Sequence, residues 1–211
     1  QNGIELIDLP GIGIQDDLYE VETERFVRER AKGILLVTHS RGLGRDEAEL
    51  LRKSGFLNRL LHASDDPTAD PLAFMVAMVK VDDVAKQNWK NEKEKNGGTA
   101  VRKKAEHFYE LVESLRKNTA TQIRQYFTEV WQSADMSLQN DKNAIIERLC
   151  DSVQVFPLSA PQYCLLMGQE DEDEMPFLPD VESTQVPGLR DAIIAAAQSA
   201  RAEREARLAA A

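Results

Sequence analysis

Leu72-Ala73-Phe74-Met75-Val76-Ala77-Met78-Val79 is an unbroken apolar run that ends in Lys80-Val81-Asp82. A strand with one wet face alternates apolar and polar residues; a strand covered on both faces, as in a parallel sheet, does not. Residues 72–81 are therefore expected to form a buried strand. Gly33-Ile34-Leu35-Leu36-Val37 has the same character, and Val153-Gln154-Val155-Phe156-Pro157-Leu158 reads as a further strand. Near the start, Ile4-Glu5-Leu6-Ile7 alternates and runs into Asp8-Leu9-Pro10-Gly11, a strand ending in a tight loop.

Helical patterns separate these runs. Residues 16–31 carry Leu18, Val21, Phe26 and Val27 on one side. Residues 46–61 bring Ala48, Leu51, Phe56, Leu57, Leu60 and Leu61 near one face, until Ser64-Asp65-Asp66-Pro67 breaks the pattern. The clearest helix spans 101–130, where Val101, Ala105, Phe108, Val112, Leu115, Thr119, Ile123, Tyr126 and Val130 fall in steps of three and four. A shorter one covers 142–149, and Pro187 opens a last helix. Residues 88–98, Lys-rich and ending Asn96-Gly97-Gly98, read as a mobile loop, and the acidic stretch 168–175 as a solvated one. Alternating apolar strands and helices call for an α/β three-layer sandwich with a mainly parallel sheet. Ligands of such sheets bind at the carboxyl ends of the strands.

Composition narrows the function classes. The chain has 211 residues, 42% hydrophobic and 29% charged, which excludes wholesale disorder. Its 26 Lys and Arg against 36 Asp and Glu give a net charge of −10, which disfavours nucleic acid as a partner. No apolar stretch reaches the roughly 20 residues that cross a bilayer, so no transmembrane segment is expected. Nothing at the N-terminus resembles a signal peptide. Cys150 and Cys164 match no metal or redox spacing and read as core thiols. An intracellular location, cytoplasmic or nuclear, fits this usage.

Three strand ends carry chemistry. At the first, Asp8 sits at a strand tip before Pro10-Gly11, where a carboxylate can engage a hydrated metal and a glycine N–H can approach a phosphate. Taken alone, D-x-P-G is also an ordinary turn. At Lys80-Val81-Asp82, a carboxylate can accept from two parallel N–H groups of a guanine edge while the Lys stem packs along the base. At Leu158-Ser159-Ala160, a small-residue turn offers a backbone N–H to the guanine carbonyl. His39, just past the second strand end, could line a nucleotide site but is expected to be a surface-loop histidine, and helix-borne His62 and His107 have no metal-ligand spacing.

The order D-x-P-G, K-x-D, S-A resembles that of the GTP-binding proteins, and within them the large GTPases of the dynamin superfamily. Ile7-Asp8-Leu9-Pro10-Gly11, the long helix before the last strand, and Phe156-Pro157-Leu158-Ser159-Ala160 followed by Tyr163 look most like the dynamin-related nuclear GTPases. The resemblance implies a partial dynamin-like GTPase domain over residues 1–195 and a helical extension over 196–211. It implies GTP or GDP as ligand and Mg²⁺ as cofactor. Asp8 would hold the Mg²⁺-bound water, Gly11 would contact the γ-phosphate, Lys80 and Asp82 would take the base, and Ser159 and Ala160 would close its far side. Self-association through the nucleotide face, and further protein partners, are also implied.

Two departures stand out. Val79 occupies a position where the family usually has Thr or Asn, and the phosphate-binding pattern G-x-x-x-x-G-K-S/T occurs nowhere in residues 1–211. That loop supplies most of the electrostatic stabilisation of phosphoryl transfer. Residues 1–211 are therefore expected to be the C-terminal part of a GTPase domain and, alone, to turn over GTP negligibly. Two other functions compete: a non-catalytic interaction module on a degenerate GTPase fold, and a nucleotide hydrolase that takes adenine.

Overall fold

A computed structural model describes residues 5–8, 21, 23, 25–27, 29–40, 42–65, 72–133, 142–169 and 174–210. Three strands, β1 (Gly33–His39), β2 (Ala73–Val79) and β3 (Gln154–Pro157), form one sheet in the order β1-β2-β3. Both pairings are parallel. His39 lies opposite Val79, and Met78 opposite Pro157, so all three strands end at one level. The central strand is the uniformly apolar one. Val76, Ala77 and Met78 are almost wholly buried, as a strand covered on both faces must be. In β1 the two faces differ: Leu36 and Thr38 are buried, while Leu35 is 37% and Val37 58% exposed.

Among the described residues, helical backbone occurs at residues 21, 23, 25–27 and 29, and the helices with defined bounds are α1 (Arg45–Lys53), α2 (Phe56–Asp65), α3 (Val81–Lys95), α4 (Lys104–Ser133), α5 (Lys142–Ser152), α6 (Ala160–Leu166) and α7 (Val186–Ala210), with a 3₁₀ turn at Glu182–Thr184. The chain is thus an α/β fold around a small parallel sheet. Leu36, Phe74, Val76 and Met78 from one sheet face meet Leu51, Phe56, Leu61, Phe108, Ile123, Phe127, Ile145 and Leu149 in a single core. Cys150 packs against that core half-buried, Cys164 is also half-buried, and both are free thiols. Among the described residues no helix is long and apolar enough to cross a membrane.

Several local expectations change. The single helix expected over 46–61 is two helices, parted where Gly55 adopts φ +70°, a conformation open to glycine. Buried Ser54 steadies the break by donating from Oγ to the Leu51 carbonyl at 3.1 Å. The strand expected to reach Val81 stops at Val79, because Lys80 turns left-handed (φ 61°) and Val81 opens α3. Residues 5–8, expected to be strand, have no regular structure and are exposed. A strand needs a neighbour for its N–H and C=O groups, and none of the described strands borders this one. The described residues of the helix expected over 16–31 begin at Val21, and the Arg59 guanidinium closes its end by donating to the Val27 and Ala31 carbonyls at 2.6 and 2.9 Å.

The largest difference concerns 88–98. It is not a loop: α3 runs unbroken to Lys95, and only Asn96–Gly98 turns. Composition misleads here because tertiary contacts override it. Glu92 accepts from the Val101 and Arg102 amides, both at 3.0 Å, and from Arg102 Nε at 2.9 Å, while His107 Nε2 lies 3.0 Å away. Lys93 and Lys104 stack over Trp89 from either helix. One carboxylate thus clamps the α3–α4 hairpin. Burial alone would raise the pKa of Glu92, but the hydrogen bonds from Arg102 and the two amides bring it below the usual range. Its contribution is accordingly present above the ordinary glutamate pKa of about 4.3 and is lost as pH falls through the lowered value. Glu92→Ala is expected to speed amide exchange at Val101 and Arg102 and over the C-terminal half of α3, read by NMR hydrogen exchange. Unchanged protection there would show that the clamp is not what orders the hairpin.

The expected stripe on α4 is the seam of the core from Phe108 to Val130, with Val101 outside the helix and exposed. At the C-terminus, α7 passes through residue 195 without interruption, so helix continues across the expected boundary between 1–195 and 196–211.

Candidate ligand site at the strand ends

The register brings the ends of β2 and β3 side by side. The Leu158 amide donates to the Met78 carbonyl at 2.7 Å, which sets Ser159 next to the turn carrying Lys80 and Asp82. Asp82 lies in the first turn of α3, a favoured place for a carboxylate because the helix dipole is positive there. Its side chain is only 1% exposed. Neither carboxylate oxygen has a hydrogen-bond partner among the described residues, and the nearest cation, Lys86 Nζ, stands 3.8 Å from Oδ2. Burial, and then the neighbouring Asp83, push the Asp82 carboxyl above the usual range. Lys86 pulls the other way; the Asp82 amide and the Ser159 side chain add weaker downward effects, neither at full hydrogen-bond geometry.

Ser159 is fully buried and caps α6, its Oγ accepting from the Gln162 amide at 3.3 Å. Ser159-Ala160-Pro161-Gln162 has the S-x-x-Q spacing of a capping box, in which the Gln side chain normally reaches back to the N-cap amide. Here it does not. The Ser159 amide donates instead to the Thr184 carbonyl at 3.1 Å. Gln162, itself fully buried, turns its Oε1 to the amides of Phe177 (2.7 Å) and Leu178 (3.3 Å), and its Nε2 has no partner among the described residues.

The expected site residues therefore divide. Asp82 and Ser159 are neighbours and both buried, and Ala160, exposed, opens α6 next in the chain. Lys80 is exposed, its backbone left-handed at the helix cap. Asp8 is exposed at the end of an unstructured tetrapeptide, and Gly11 lies outside the described residues. Among the described residues no group of three or more His, Cys, Asp or Glu side chains is placed to hold a metal. Mg²⁺ is commonly held by one or two carboxylates together with nucleotide phosphates, so Asp8 by itself makes no metal site.

Sequence reasoning missed the surroundings of Asp82. Lys86, one helical turn after Asp82, is bonded to Glu174 at 3.0 Å and lies 6.0 Å from the Phe177 ring centroid. The i,i+4 spacing of Asp82 and Lys86 was visible, as was the capping-box spacing of Ser159 and Gln162. The link from residue 162 to residue 177 leaves no local trace. At the end of β1, Thr38 Oγ1 donates to the Gly42 carbonyl at 3.1 Å and lies 3.2 Å from Glu47 Oε1. Gln122 of α4 bridges both the amide and the carbonyl of Leu43 at 3.2 and 3.4 Å, so this turn is fixed, with His39 exposed beside it.

No protein-family model, no curated protein and no solved structure matches this chain. The geometry at the strand ends is what a functional assignment has to stand on.

Proposed function

We propose that the chain carries the base-recognition half of a guanine-nucleotide site, in a GTPase domain of the dynamin-like kind. The observation that carries this is Asp82: a carboxylate at the carboxyl end of the central strand, buried, with two acceptor oxygens and no donor bonded to either among the described residues. Leaving buried acceptors unpaired costs about 1–3 kcal/mol, a cost that a ligand with two parallel N–H groups would remove. A guanine edge presents that pair; an adenine edge does not. Ser159 and Ala160 then border the far side of the base, and the Lys80 stem lies along it.

Phosphate binding, Mg²⁺ and hydrolysis require the loop that is absent from residues 1–211, so no catalytic step is assigned to residues of this chain. Asp8 would contribute to the metal only together with nucleotide phosphates. Coupling of nucleotide state to self-association belongs to the same proposal. One observation favours the rival, a non-catalytic interaction module: Asp82 is only 1% exposed, and Lys86, 3.8 Å from it, is itself paired with Glu174.

Base discrimination needs no phosphate loop and is testable on residues 1–211. Ligand-observed NMR with guanosine and with adenosine is expected to show saturation transfer to guanosine alone. Equal transfer to both nucleosides, or preference for adenosine, would overturn the guanine assignment.

A further inference from the structure

We infer that residues Glu174–Phe177 form a latch over Asp82, fastened by Gln162 and by Lys86, and that a base reaches Asp82 only when the latch lifts. The inference rests on Asp82 being the base contact, and it adds a regulated entry to that site.

The fastening is specific. Gln162 follows Ser159 by three residues, so the residue that pins the latch stands on the turn expected to border the base. It gives up the usual second half of the capping box to hold the Phe177 and Leu178 amides. Pro176, inside the segment, fixes one of its backbone torsions and so limits its freedom. Phe177 packs edge-on against Phe108 at 6.3 Å and sits by Lys86. Lys86 is shared unequally, 3.0 Å from Glu174 and 3.8 Å from Asp82. It therefore acts as a strut that ties Glu174 to the neighbourhood of Asp82.

The far side of the segment is anchored independently. Tyr109 Oη bonds Ser183 Oγ at 3.1 Å, Arg116 Nη2 bonds Gln185 Oε1, and the Thr184 carbonyl accepts from the Ser159 amide. Leu178, buried in the core, is the pivot. Among the described residues, the segment between this pivot and Glu174 is held by the Gln162 bond to Phe177, the Lys86 ion pair and the packing of Phe177 on the core edge, while Met175 is 85% exposed. Lifting this short piece takes the half-buried Phe177 ring off Phe108 at the edge of the core and leaves Leu178 in place.

Carbodiimide labelling of carboxyl groups with glycine ethyl ester, mapped by mass spectrometry on the 211-residue chain, measures access to Asp82 directly. In the wild type Asp82 is expected to label far more slowly than exposed Asp180. In Gln162→Ala, which removes the acceptor of the Phe177 amide, labelling of Asp82 is expected to rise about tenfold, the effect of losing one such hydrogen bond. Glu174→Gln, at an exposed position, is expected to raise it less. Guanosine at saturating concentration is expected to protect Asp82 in Gln162→Ala. Unchanged labelling in both variants at unchanged circular dichroism, or wild-type labelling as fast as at Asp180, would overturn the latch. Faster labelling in the variants without guanosine protection would establish the latch and overturn the guanine assignment instead.

Discussion

Phe127→Ala is expected to lower the midpoint of thermal unfolding by roughly 6–20 °C. The side chain is fully buried on α4, in the core that joins the sheet to α2, α4 and α5. Removing a buried phenyl group costs about 3–5 kcal/mol, part lost transfer energy and part the cavity left behind. In a domain of about 200 residues, each kcal/mol moves the midpoint by roughly 2–4 °C. Neighbouring Tyr126 is only half-buried, and Tyr126→Ala is expected to shift the midpoint by less than half as much. Differential scanning calorimetry of both variants checks the contrast. Equal shifts would mean that the site at 127 collapses onto its neighbours, or that α4 is held by its polar contacts rather than by its stripe.

That pair of residues marks how far periodicity reaches. Steps of three and four pick out Phe108, Val112, Leu115, Thr119 and Ile123, all buried, because one face of a helix is a local property. At Tyr126-Phe127 the stripe widens, and only packing against the other helices decides which ring goes inward. The same distinction runs through the fold. The parallel β2 was legible because a strand covered on both faces must be apolar throughout. β1 has nearly the same composition and yet its two faces differ in burial, since coverage depends on neighbours that a run of residues cannot name. Residues 88–98 looked like a loop because Lys and Asn dominate them, and they are helix because Glu92 finds Arg102 and His107 beyond the turn.

The candidate site divides in the same way. Asp82 and Ser159 were identifiable because both follow strands, and parallel register sets such residues side by side. Lys86 and the capping-box Gln162 were visible as spacings but not as parts of the proposed latch. What joins them is the packing of residues 174–178 on Gln162 and Lys86, contacts between residues far apart in sequence that no short-range pattern encodes. Lys80, alongside Asp82 in sequence, is separated from it in environment by its own left-handed backbone: one residue exposed, the other buried two positions later.

Asp82→Asn is expected to make the protein more stable at neutral pH and at the same time to abolish guanosine recognition. The carboxylate is buried without a hydrogen-bond partner among the described residues, and burial holds its pKa above the ordinary value. Between that ordinary value, about 3.9, and the raised one, the native state keeps a proton that the unfolded chain has released. The group thus favours folding least at high pH: stability falls as pH rises through this window and stays reduced above it. Asparagine has no charge to bury, so the variant is spared this penalty. The gain is expected to be on the order of 1–3 kcal/mol near pH 7.5, roughly 2–12 °C in the midpoint, and to vanish below about pH 3.9. Lys86 keeps Glu174 as partner, so no cation is stranded. Denaturant unfolding of both proteins across this pH range measures the difference directly, with the other carboxylates cancelling between them. A structural carboxylate held for stability would behave in the opposite sense, and a variant less stable at pH 7.5 would show that Lys86 and Ser159 repay its burial. On the proposed reading, the stability given up at Asp82 is the cost of binding, and its two orphaned oxygens are the acceptors that the guanine edge would meet.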